Sequence, residues 1–119
     1  MKKLILALLL LGSSLANAAE TLYFSALVNV ETKETIDPNS GYVTIDFDRQ
    51  IITLTLPNAK GFYAINDIKA DVIEGNNVLL IYCTGTKDHQ KYHFFLMEDG
   101  NITRFFLVTD VGVIEFLPQ

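Results

Sequence analysis

The sequence predicts an all-β fold: a single small domain in which an antiparallel meander of about eight strands makes a barrel-like or two-layer sandwich fold. Three observations predict it. Short apolar segments alternate with period two and are separated by hairpin-length turns. The strongest turn is Asp99-Gly100, because a type I′ turn needs positive φ at both central residues and Gly accepts it freely. Beyond the first residues no segment keeps apolar positions at i, i+3, i+4 and i+7 through three turns, so almost no helix is expected. Of the two architectures the barrel is preferred, since closure removes strand edges that invite aggregation.

The elements follow in order. Met1-Lys2-Lys3 is basic, Leu4 to Leu11 is apolar, and Ala16-Asn17-Ala18 supplies a small-x-small cleavage pattern, which together read as a secretory signal peptide of bacterial type. The apolar run is too short to cross a bilayer, and with no Cys at the cleavage point no lipid anchor is expected. Residues 1–18 are therefore expected to leave, and 19–119 to form one exported β domain, periplasmic or secreted and not inserted in a membrane. Thr21 to Glu31 alternates as a half-buried strand, with Leu22, Phe24, Ala26, Val28 and Val30 on one side. Thr32 to Ser40 is a polar loop ending in Asp37-Pro38-Asn39-Ser40-Gly41. Gly41 to Leu56 is a hairpin with Asp48-Arg49 at its tip and Val43, Ile45, Phe47, Ile52, Leu54 and Leu56 on one face.

After a break at Pro57 to Gly61, an extended segment runs from Phe62 to Ile73, bent at Asn66-Asp67, and Glu74 to Asn77 turns the chain. Pairing Ile73 with Val78 sets Ile68, Ala70 and Val72 beside Leu79, Ile81 and Cys83, a core face. The polar loop Gly85 to Gln90 leads into the last meander, Lys91 to Leu117. A turn at Asp99-Gly100 pairs Phe94 with Phe105, Phe95 with Arg104 and His93 with Phe106, and a three-residue loop at Asp110 to Gly112 pairs Thr109 with Val113. If Cys83 opposes Tyr92, then Tyr92, Phe94, Leu96, Phe105 and Leu107 continue the core face, and Phe95, Met97, Phe106, Ile114 and Phe116 point outward.

Composition bounds the function. Loss of the leader with Lys2 and Lys3 takes the formal net charge from −5 to −7, which disfavours nucleic acid and anionic membranes as partners. Cys83, the single cysteine, forms no intramolecular disulfide and sits in an apolar strand, where a thiol packs as a small hydrophobe. Asp88, His89 and His93 are the obvious titratable cluster, but four residues along a strand span about 13 Å, too far for one metal ion. A Cys83 and His93 nucleophile pair lacks an orienting third group. No GxSxG, glycine-rich phosphate loop or paired carboxylate is present, so catalytic, metal and cofactor sites are expected to be none and the protein not to be an enzyme. Asn101-Ile102-Thr103 matches a glycosylation acceptor but opens a strand of a bacterial-type exported chain, so no modification is expected there.

The expected function is a non-enzymatic protein-interaction module, such as an inhibitor, immunity or accessory protein, binding another protein or a second copy of itself. The candidate partner-binding residues are His93, Phe95, Arg104, Phe106 and Phe116, because aromatics, Met and Arg are enriched in interface cores. The competing expectation for the same face is burial under the Thr32 to Ser40 loop or an opposing sheet. The alternative function is a barrel holding an apolar small molecule in its lumen, and a small hydrolytic enzyme is a third. An unfilled lumen would favour the second, and a filled interior the first.

Overall fold

The computed structural model describes residues 19–99, 102–110 and 112–119, and the leader expected at 1–18 lies outside them. Nine strands follow one another: β1 (Ala19–Asn29), β2 (Thr35–Asp37), β3 (Gly41–Asp46), β4 (Ile51–Leu56), β5 (Ala59–Ile73), β6 (Asn76–Gly85), β7 (Lys91–Asp99), β8 (Ile102–Thr109) and β9 (Gly112–Pro118). Each pairs antiparallel with the next from β3 to β9, and β1 closes the ring between β9 and β3. The result is a closed eight-stranded barrel, with the short β2 added beside β1 where Leu27 meets Asp37. The barrel expectation holds, and the sandwich does not.

The interior follows from the alternation. Phe24, Val43, Ile45, Ile52, Leu54, Ile65, Leu79, Ile81, Cys83, Phe94, Leu96, Phe105, Leu107 and Phe116 form one buried cluster. A chain of ring contacts crosses it, Phe24 to Phe116 to Phe105 to Phe94 to Tyr63 to Tyr92, with centroids 4.9–5.4 Å apart. These distances suit edge-to-face and offset packing. Gly41 is required by a close approach: a Cβ there would lie 2.3 Å from the Thr55 carbonyl oxygen and 2.7 Å from the Phe24 ring.

Three registers depart from expectation. The β7–β8 ladder closes at Asp99 with Ile102, displaced by two residues, so Phe94 faces Leu107 and Phe95 faces Phe106. The β5–β6 ladder closes at Ile73 with Asn76, again displaced by two. An even displacement leaves every side chain on its expected face. The β8–β9 ladder closes at Thr109 with Gly112 rather than with Val113, a displacement of one, and this reverses β9. Ile114 and Phe116 therefore turn inward, opposite Leu107 and Phe105, while Val113, Glu115 and Leu117 turn outward. In β1 an irregularity between Phe24 and Ala26 puts Leu27, not Ala26, beside Phe24 in the core.

Candidate functional site

The expected partner-binding residues do not stay together. His93, Phe95, Arg104 and Phe106 share the outer wall of β7 and β8, as expected, whereas Phe116 is only 3% exposed and lies inside the barrel. The one-residue displacement of β9 is the cause, so Phe116 is a core residue and not a surface one. On the wall itself Phe106 is 8% exposed, too little for an anchor presented to solvent. The Arg104 guanidinium covers its ring at 4.9 Å, and Arg104 is in turn held by Glu115 through Nε at 2.8 Å and a second N–H at 3.0 Å. A bidentate pair of this kind fixes the guanidinium plane. The wall continues into β6 and β5: Tyr82 meets His93 edge-on at 4.8 Å, and the Lys69 ammonium lies 5.5 Å from the Tyr82 ring.

The titratable groups resolve into local roles. Cys83 is 1% exposed, and burial pushes its thiol up to about 12, so it is packed and inert at neutral pH. Tyr92 donates its hydroxyl to Asp88, which pushes the phenol up to about 12 and holds the Asp88 carboxyl below its usual range, helped by the Gln90 N–H. Asp88 thus ties the β6–β7 loop to the barrel rather than to His89. Among the described residues no three of His, Cys, Asp and Glu converge to hold a metal ion.

The lumen is occupied by the ring chain, and a depression of about 390 Å³ opens at one barrel mouth between Leu22, Phe24, Phe105 and Phe116. Thr103 lines it with a buried hydroxyl that has no hydrogen-bond partner. Glu98, directly across from Thr103, is buried as well; one carboxylate oxygen accepts from Asn77 at 3.2 Å and the other has no partner.

The surface feature that sequence reasoning missed is the far half of β5. The six residues of β4 cover β5 only from Ala59 to Ala64, and the last link on that side is the Ile65 N–H to the Gln50 carbonyl at 2.8 Å. From Asp67 to Ile73, β5 pairs, among the described residues, with β6 alone. Ile68, Ala70 and Val72, expected in the core, do sit in register with Ile81, Leu79 and Asn77, yet Ile68 is 39% and Val72 61% exposed. Among the described residues no strand pairs with this part of β5 on its other side, which leaves these side chains exposed. The signal was in the lengths: a six-residue strand cannot cover a fifteen-residue neighbour.

Glu74 and Gly75, at φ 53° and 80°, make a two-residue type I′ turn, so Ile73 and Asn76 are a hydrogen-bonded pair. Lys69 and Asp71 then point their N–H and C=O groups at β6, and Ile68, Ala70 and Val72 point theirs away from β6, to the side that β4 does not reach. Two of these three outward donors are held by a carboxylate beside them: Ile68 N–H donates to Asp67 at 2.9 Å and Val72 N–H to Asp71 at 2.7 Å. Charged side chains on an edge are a recognised guard against indiscriminate pairing. No protein-family model, curated protein or solved structure matches this chain.

Proposed function

We propose that this chain is an exported protein-interaction module that binds an extended segment of a partner protein by strand addition along the free edge of β5. The observation that carries the reading is that edge: Ile68, Ala70 and Val72 turn their main-chain groups away from β6, with only adjacent carboxylates on the Ile68 and Val72 donors, beside exposed Ile68 and Val72 side chains on a barrel filled by its own side chains. The outer wall of Tyr82, His93 and Phe95 continues the same sheet and supplies side-chain contacts next to it. Export is supported by the tripartite start of the chain, with β1 taking up Ala19 directly after the cleavage pattern.

Ala70→Pro tests the reading. Its N–H points outward, so proline removes no β5–β6 hydrogen bond while it blocks an added strand, a position where edge strands accept proline. Envelope proteins retained by the immobilised wild type should be lost with this variant and kept with Tyr23→Ser on the opposite wall. Equal retention by wild type and Ala70→Pro contradicts strand addition. A second reading, a small ligand at the barrel mouth, is favoured by the unpartnered Thr103 hydroxyl and Glu98 oxygen. A ligand there should bring a hydrogen-bond donor, and Thr103→Val should weaken its binding in a calorimetric titration.

A further inference from the structure

Resting on the strand-addition reading, we propose that the partner of the β5 edge is a second copy of this chain, paired antiparallel about Ala70. The edge is self-complementary in that alignment and in no neighbouring one. Ile68 falls opposite Val72 of the other copy, Lys69 opposite Asp71, and Ala70 opposite itself, so each position from 68 to 72 meets an apolar or an oppositely charged residue. The outward-facing groups are those of Ile68, Ala70 and Val72, and these become the hydrogen-bonded pairs of the new ladder, two bonds at each of three positions. Displacing the alignment by one residue sets Lys69 against an apolar side chain and turns the apolar face of one copy to the polar face of the other.

The Asp67 and Asp71 carboxylates complete the device. While the edge is free they hold the Ile68 and Val72 donors and leave only Ala70 open. On pairing they release those donors to the carbonyls of the second copy, and Asp71 turns to the Lys69 ammonium across the ladder. A foreign strand without a cation at that place leaves Asp71 uncompensated, so the guard is also the selectivity element. The pairing is isologous and closes as a twofold dimer, using the β5 edge of each copy, so growth through this edge stops at two copies.

Sedimentation velocity over a concentration series tests it, with chains lacking residues 1–18. The wild type should show a concentration-dependent monomer–dimer equilibrium. Lys69→Asp and Asp71→Lys should each weaken it by roughly tenfold or more, because each sets two like-charged pairs across the ladder. Mixing those two variants should restore a heterodimer, since each charge then meets its opposite, and Ala70→Pro should be monomeric with an unchanged thermal transition. A wild type that stays monomeric at millimolar concentration, or a dimer indifferent to both charge variants, overturns the inference. In the first case, envelope proteins still lost with Ala70→Pro would show that the edge accepts a foreign strand and that only self-pairing had failed.

Discussion

At the scale of single residues, burial decides what the chemistry-bearing groups do. The Cys83 thiol is raised to about 12 against an ordinary 9.0 because the barrel interior disfavours the thiolate. Unfolded, the same thiol ionises near its ordinary value. Between those two values the unfolded chain binds fewer protons than the folded one, so stability falls as pH rises through that window. Tyr92, raised to about 12 by its bond to Asp88, adds a loss of the same sign that begins above 10.0. Chemical denaturation at a series of alkaline pH values should therefore show a decline that starts later in Cys83→Ala than in the wild type. At neutral pH that variant should cost about 1–2 kcal/mol, the scale for trimming a small buried side chain. Native Cys83 should resist a thiol reagent at pH 9 and react once the chain is unfolded. These assignments were legible in the sequence for Cys83, whose apolar neighbours and opposition to Tyr92 are as expected. The Asp88 to Tyr92 tie was not, because it depends on a loop conformation in which His89 takes a φ of 58°.

At the scale of strands, the parity of each register separates what could be read from what could not. Displacements of two residues at β5–β6 and β7–β8 left faces intact, so the inward set Tyr92, Phe94, Leu96, Phe105 and Leu107 was legible although the partners across the ladder were not. The displacement of one at β8–β9 was enough to reverse Phe116 and Leu117. Within β9 the set Val113, Glu115 and Leu117 carries a charge and the set Ile114 and Phe116 does not, so the pattern favours Phe116 inward, and the expectation erred by weighing a three-residue turn above that glutamate. Equilibrium unfolding distinguishes the two arrangements: Phe116→Ala should cost about 3–5 kcal/mol and Leu117→Ala far less, because only the first empties core volume. The β5–β6 turn offers the opposite sign. Glu74 sits at a positive φ that its Cβ resists, and Asn tolerates that conformation better. Glu74→Asn should stabilise the domain by about 0.5–1 kcal/mol in the same assay, with no change in the slope against denaturant.

At the scale of the whole molecule, the barrel is closed at β1–β9 but is not uniformly covered. Closure removes edges only where neighbours have matching lengths, and β5 outruns β4 by more than half its own length. The overhang puts an apolar, charge-patterned strand at the surface while the ring chain from Phe24 to Tyr92 keeps the lumen full. On the proposed reading, binding belongs to the rim of the barrel and not to its inside, and the outer wall of His93 and Phe95, continuous with β6 through Tyr82 and Leu80, extends that rim. Amide hydrogen exchange at single residues, followed as protein concentration is raised, tests this most directly. In dilute protein Ala70 should exchange much faster than Lys69 and Asp71, whose amides face β6, and its exchange should slow in step with association as the second strand arrives. An Ala70 amide that is protected in dilute protein, or that exchanges at the same rate at every concentration, would contradict the account.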